Sequence, residues 1–548
     1  MTEREQVQAA GRATGVRSTD YDALVIGAGL SGLYQVYRLR EAGLSVLALE
    51  AGADIGGTWF WNRYPGARVD SPCYVYQYWF SRELHEQWSW SERFPDQAEL
   101  ERYIHFIADR CGLRPHVRLK TRVTAAHYDE RLARWHVTTE GGETLTARFL
   151  ISCAGMLSAP IENLFPGQDR FRGQIFHTAR WPREPVELRG KRVGVIGNGA
   201  SGIQVIQTIA PEVAQLKVFQ RTPQYTIRIN NPRFTDADRA AWRARYDALR
   251  ERVNRTFAGF DFDFERGGYH DTPADQRRAV LEELWQDGSL AFWVGGYPEV
   301  LLDPSVSADF TEFVRAKMRA RIRKPEVAAR LIPTRYGFGT RRVPLESHYL
   351  ETFDLDHVEL VDVAEAPIQG ISERGVVTRA GEHPLDVLIL ATGFDASTGA
   401  LTRIDIRGRG GLALADKWQR DIRTAMGLQV HGFPNLFMIG APLAPSAAFC
   451  NMTTCLQQQV DWITDTILHV LGDGRRSIEA TAEKEASWLA HHEELANATL
   501  VVKTDSWYTG SNVAGKQRRL LTYVGGAHTY RQLCDEERAQ GYPGFTIM

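Results

Sequence analysis

At 548 residues the chain exceeds a single ordinary core, and about 100–200 residues per domain leaves room for roughly three units. Hydrophobic residues make up 43% and charged residues 24%, with a net charge of -2, a balance that excludes a phosphate-tracking nucleic-acid binder. No stretch approaches the ~18 uninterrupted apolar residues of a membrane span.

The first twenty residues are polar and lack the apolar segment of a secretory signal, so 1–20 read as a flexible N-terminal extension. The six cysteines, at 73, 111, 153, 450, 455 and 534, never form C-x-x-C. Neither a disulfide framework nor a thiolate metal site is expected, and a reducing cytoplasm fits.

Ordered structure begins at Tyr21. YDALVIGAGLSGLYQVYRLREAGLSVLALEAG reads as a buried strand, a glycine turn, a helix and a second strand, a βαβ unit. RWHVTTEGGETLTARFLISCAG reads as a β-hairpin with a Gly-Gly turn. A second βαβ opening, KRVGVIGNGASGIQVIQTIAPEVAQLKVFQRTP, follows about 170 residues after the first. Charged amphipathic helices fill about 231–333, with capped starts expected at Thr235 (with Asp238) and at Thr272-Pro273 (with Asp275). Strands resume at HVELVDV and LDVLILATGF.

The fold class is therefore α/β, with two Rossmann-like dinucleotide-binding domains and a helical insertion in the second. The expected division is 21–160 for the first part of an FAD-binding domain and 161–387 for an NADP-binding domain. Residues 388–548 should rejoin the first domain and carry the C-terminal segment.

In the first loop Gly27, Gly29 and Gly32 follow the strand directly and open the helix. The first glycine permits the turn, the second lets backbone approach a pyrophosphate, and the third lets helix and strand pack closely. Glu50, eighteen residues past Gly32, sits where a carboxylate can accept ribose hydroxyls. Gly56-Gly57-Thr58-Trp59 then lets the chain pass close to a bulky ligand, which suits FAD better than NAD.

The second loop, Gly197, Gly199 and Gly202, has the same setting, but its following strand ends on Arg221-Thr222 instead of an acid. A guanidinium can bind a 2′-phosphate that a carboxylate would repel, so NADP(H) is predicted over NAD(H). The segment after Glu50 holds no cysteine pair, which leaves O₂ activation as the main use for a reduced flavin.

Phe171-x-Gly173-x-x-x-His177-x-x-x-Trp181-Pro182 matches in full the fingerprint F-x-G-x-x-x-H-x-x-x-W-(P/D), and by it the chain resembles the type I Baeyer–Villiger monooxygenases. RYPGARVD, the ATG at Ala391–Gly393, GFPNLFMIG and WYTGSNVAGK extend the resemblance from Tyr21 to the C-terminus. It implies an enzyme that uses NADPH, FAD and O₂ to turn a ketone into an ester or lactone through a flavin C4a-peroxide. The family's fingerprint segment couples domain movement to coenzyme binding, so His177 is given no acid or base role.

By the same resemblance, Arg342 in GTRRVPLES matches the catalytic arginine and Asp70 the carboxylate that orients it. Arg341 matches a basic residue for the 2′-phosphate, and arginine at both places leaves the two roles exchangeable. Trp507 matches a tryptophan near the nicotinamide ribose and the substrate. Loop 441–455, APLAPSAAFCNMTTC, corresponds to a substrate-shaping region whose small apolar side chains suit a bulky or cyclic lipophilic ketone. No nucleic-acid partner is expected. A flavin N- or S-oxygenase and a non-catalytic redox flavoprotein are the alternatives that the residues leave open.

Overall fold

The computed structural model describes residues 19–162 and 164–548, so the expected extension at 1–20 lies outside the described residues except for 19 and 20. Two parallel-strand systems organise the chain. Strand Tyr21–Ile26 lies between Val46–Leu49 and Thr144–Ser152, parallel to both. Its residues Ala23 to Val25 are fully buried, as strands covered on both faces must be.

Thr144–Ser152 also pairs antiparallel with Arg134–Thr139, which forms the expected hairpin, and Gly142 takes the left-handed turn position. Trp135 on that hairpin is fully buried and its indole Nε1–H donates to the Pro434 carbonyl at 2.9 Å. The late strands Asp405–Arg407 and Leu436–Met438 join this same sheet. Helix Leu30–Glu41 meets the late helix Met452–Gly472, where Gln35 donates to the Thr464 hydroxyl and Tyr34 to Asp461. The C-terminal part therefore packs back onto the first βαβ unit.

The second sheet runs in the order Val358–Asp362, Gln215–Gln220, Arg192–Ile196, Val387–Leu390, Gln174–His177, all parallel. Strand Val387–Leu390 lies between two partners here, so it straddles the expected boundary at 387/388 and belongs whole to this sheet. Between Ile227–Arg228 and Leu345–Glu346, which pair with each other, the chain is helical. This excursion is held by an aromatic core in which Phe292, Phe310 and Phe338 are fully buried.

Thr235 forms the reciprocal capping box with Asp238. Thr272 does not cap. Its hydroxyl turns back to the Gly268 carbonyl, and helix Ala274–Asp287 starts after Pro273 with no side-chain cap. The cysteines also differ from expectation, because Cys450 and Cys455 are joined as a disulfide. Their Cα atoms lie 6.6 Å apart across the corner where a loop enters helix Met452–Gly472, within the span such a bond requires. Cys73, Cys111, Cys153 and Cys534 are free. Among the described residues no helix is long and apolar enough to cross a membrane.

Candidate active site

Both glycine loops sit at the carboxyl ends of their strands, where open parallel sheets bind ligands. Gly29 and Gly199 stand at the N-termini of helices of 12 and 10 residues, and neither end carries a side-chain cap. Each helix therefore presents unpaired N–H groups and the positive end of its dipole to the space above the loop. A Cβ on Gly32 would lie 2.0 Å from the Gly27 carbonyl oxygen, and one on Gly202 would lie 2.3 Å from that of Gly197. The third glycine of each loop is thus set by contact of the helix with its own turn. Gly32→Ala must push this turn open, and we expect it to purify with little FAD and a lowered melting temperature. Full flavin content with an unchanged melting temperature would refute this reading of the loop.

Glu50 stands just past strand Val46–Leu49 and is buried. Its Oε2 accepts from the Ala28 N–H at 2.8 Å and its Oε1 from the Gly52 N–H at 2.6 Å. Each carboxylate oxygen can accept a further hydrogen bond, which fits ribose hydroxyls. Gly57 has φ of +55° and its backbone passes so close to Gly29 that a Cβ would come within 2.7 Å of the Gly29 Cα. Only glycine suits that position. Thr58 is exposed, and Trp59 is buried with its Nε1–H donating to the Tyr76 hydroxyl.

Arg221 and Thr222 follow strand Gln215–Gln220 immediately, with Arg221 exposed and Thr222 partly so. Arg341 comes to the same place from the far end of the helical excursion. Its guanidinium lies over the Tyr336 ring at 4.8 Å, and its Nε is buried without a hydrogen-bond partner. Burial lowers its pKa and the nearby Arg221 charge adds to that shift, whereas Tyr336 opposes it. Two converging arginines with an unpaired buried donor fit a phosphate dianion. The open space beside Gly199, where a Cβ would meet nothing within 4 Å, fits a dinucleotide pyrophosphate.

Arg342 and Asp70 are 272 residues apart in sequence and form an ion pair from Nη2 to Oδ2. Nη1 donates to the Ala447 carbonyl at 2.8 Å. Burial by itself would lower the Arg342 pKa, but Asp70 and then Tyr508 outweigh it, so the pKa is raised and the charge is fixed. The segment carrying Asp70 is itself clamped onto the second glycine-loop helix. Tyr64 donates to Gln204 at 2.9 Å, and Gln204 donates to the Arg68 carbonyl at 3.0 Å.

Trp507 opens a short helical turn capped by Ser506, and it packs edge-on against Tyr508. It is Tyr508, not Trp507, whose hydroxyl lies near enough to Arg342 for the two to shift each other's pKa, while it donates to the Ala448 carbonyl at 3.4 Å. Tyr508 and the Ala447 carbonyl are thus partners that sequence reasoning missed. The doublet Trp507-Tyr508 was the available signal for one of them, whereas a backbone carbonyl leaves none.

The fingerprint histidine has a different setting. His177 Nδ1 accepts from the Ala179 N–H at 3.1 Å, which leaves Nε2 to donate to the Thr392 hydroxyl at 3.1 Å. Thr392 donates in turn to the Ile161 carbonyl. Burial lowers the His177 pKa and keeps the ring neutral. Trp181 is buried and tilted against Phe176 at 5.2 Å. Both residues tie together the segments where the chain passes between its two sheets.

Two dinucleotide cradles with one half-buried, ion-paired arginine define the class, a flavin-dependent oxidoreductase with a second coenzyme site. The model of the family described as flavin-binding monooxygenase-like matches residues 22–233. The chain is 54% identical over 531 residues to the acetone monooxygenase (methyl acetate-forming) of Gordonia sp. (strain TY-5), covering 97% of this chain and 99% of that one. It is 38% identical to a Baeyer–Villiger monooxygenase of Pseudooceanicola batsensis, covering 95% of each. A crystal structure of OTEMO in complex with FAD and NADP superposes with a TM-score of 0.93 at 39% identity, covering 97% of this chain and all of that one. The chain belongs to the Baeyer–Villiger monooxygenase family.

Proposed function

We propose that the protein uses NADPH, FAD and O₂ to insert one oxygen atom beside the carbonyl of a ketone, giving an ester or lactone and water. The observation that carries this reading is the half-buried Asp70–Arg342 ion pair, whose Asp70 segment is clamped onto the second glycine-loop helix. FAD is assigned to the cradle of Gly27, Gly29, Gly32, Glu50, Gly57, Thr58 and Trp59. NADP(H) is assigned to Gly197, Gly199, Gly202, Arg221, Thr222 and Arg341. The make-up of the two sheets supports an NADP domain from 161 to 390, which keeps strand Val387–Leu390 whole, and an FAD domain from 21–160 with 391–548. When bound, the flavin supplies activated oxygen at NADPH's expense.

The chain's own residues do the rest. Arg342 keeps a permanent positive charge, because arginine holds its proton at any working pH and Asp70 raises its pKa further. That charge stands ready for the negative charge that grows on the ketone oxygen, and preorganised charge of this kind is usually the largest catalytic contribution. Asp70 and the Ala447 carbonyl hold the guanidinium by separate nitrogens and so fix its plane. Arg341 is assigned to the 2′-phosphate because its charge feels that of Arg221, whereas Arg342 is ion-paired with Asp70. Trp507, beside Tyr508, is read as a cover over the nicotinamide ribose that keeps water from the reacting atoms.

A ketone is the substrate class proposed. The small side chain of Ala447, whose carbonyl meets Arg342, suits a lipophilic or cyclic one, and acetone belongs in any panel because the 54% identical relative is named for it. NADPH oxidation should be stimulated by ketones and not by amines or sulfides of matched size. Stimulation by the amines and sulfides alone would favour the N- or S-oxygenase alternative.

A further inference from the structure

The geometry points to Trp293 as a specificity-determining residue, whose indole walls one side of Arg342 and limits the size of the ketone that reaches it. This inference rests on the reading of Arg342 as the catalytic arginine. Trp293 belongs to the short helix Ala291–Val294 in the helical excursion, far in sequence from every motif that marks the site. Its side chain is only 1% exposed. The Arg342 guanidinium carbon lies 5.8 Å from the indole centroid, inside the ~6 Å range of a cation–π contact.

A guanidinium offers donors around its edge and two flat faces. Asp70 and the Ala447 carbonyl occupy positions on the edge. Trp293 turns its ring face toward the guanidinium carbon, so a substrate carbonyl has to approach from the directions these residues leave open. Phe449 extends the wall, with its ring 5.2 Å from Trp293 and 5.5 Å from Tyr508. Trp293, Phe449 and Tyr508 thus form one continuous wall of buried aromatic rings, with Trp293 the ring that meets the guanidinium.

The chain makes room for the large side chain. Gly339, three residues before Arg342, has φ of +81°, and a Cβ there would lie 2.6 Å from the Trp293 Nε1. The neighbouring Phe292 points the other way, stacked with Phe313 at 5.6 Å in the core of the excursion. The helix is anchored by Phe292, and Trp293 is left to face the loop at 447–449. The indole Nε1–H has no hydrogen-bond partner among the described residues. Polarity therefore does not account for a tryptophan here, and bulk against Arg342 does.

A residue that only packs the core would, when cut back, weaken turnover of all ketones together. A residue that limits size would change their ratio. The test measures kcat/KM for cyclododecanone and for 2-butanone by ester formation, in wild type, Trp293→Phe and Trp293→Leu, with FAD content and melting temperature read on each. The ratio of large to small ketone should rise by about 10-fold or more in Trp293→Leu and by less in Trp293→Phe, the scale on which apolar pockets discriminate. A ratio within about twofold of wild type in both variants overturns the inference while leaving the proposed function intact. Should Trp293→Leu fail to bind FAD, the ratio in Trp293→Phe decides by the same twofold limit. Absence of ester from wild type with every ketone would instead sink the proposed function, and this inference with it.

Discussion

Arg342→Ala should still bind FAD, oxidise NADPH and consume O₂, yet make at least about 100-fold less ester, the scale on which losing one preorganised donor slows a reaction. The electrons should leave as hydrogen peroxide in near-stoichiometric amount. The ion pair with Asp70, together with the Ala447 carbonyl, holds the guanidinium in one plane. Among the described residues, Arg342 is the cation paired with Asp70, and removing it strips that charge from the proposed position of the ketone oxygen. Binding of both dinucleotides depends on other residues, so the reductive half should survive. Peroxide and ester are measured together against NADPH consumed. Ester yield above half that of wild type would remove Arg342 from the chemistry and pass the role to Arg341.

Arg221→Ala should raise the KM for NADPH by about 10–100-fold and leave the KM for NADH nearly unchanged, because a charge-assisted hydrogen bond is worth roughly 1.5–3 kcal/mol. Arg221 stands just beyond its strand, where an acid would select NAD(H), and its charge is felt at Arg341. Both arginines would face the 2′-phosphate, the one group that NADPH has and NADH lacks. Steady-state kinetics with the two coenzymes reads the difference directly. Equal rises for both would mean that Arg221 touches the shared part of the dinucleotide, and the 2′-phosphate assignment would fall.

The features legible in the sequence are those whose chemistry is local. A glycine loop between strand and helix, Glu50 at a strand end and Arg221 in the equivalent place are each decided within a few tens of residues. The Thr235–Asp238 capping box is similarly short-range. Asp70 and Arg342 are far apart in sequence, and their pairing was expected only through family resemblance. Trp293, Tyr508 and the Ala447 carbonyl reach Arg342 through the docking of an excursion, a late loop and a helix entrance. No local pattern announces such a meeting, because an aromatic residue in a helical segment reads as core. The same limit explains Cys450 and Cys455, whose spacing matches no motif until a loop turns into a helix. It also explains Thr272, whose hydroxyl found a carbonyl four residues back before it could cap.

The central claim is that this chain converts a ketone to an ester with one oxygen atom taken from O₂. Purified protein supplied with FAD, NADPH and ¹⁸O₂ should be incubated with acetone, cyclohexanone and a larger cyclic ketone, and the products identified by gas chromatography with mass spectrometry. The account predicts an ester or lactone from at least one of them, carrying a single ¹⁸O in the ring or ester-bridge position. Recovery of every ketone unchanged while NADPH is consumed, or ester without ¹⁸O, would contradict it.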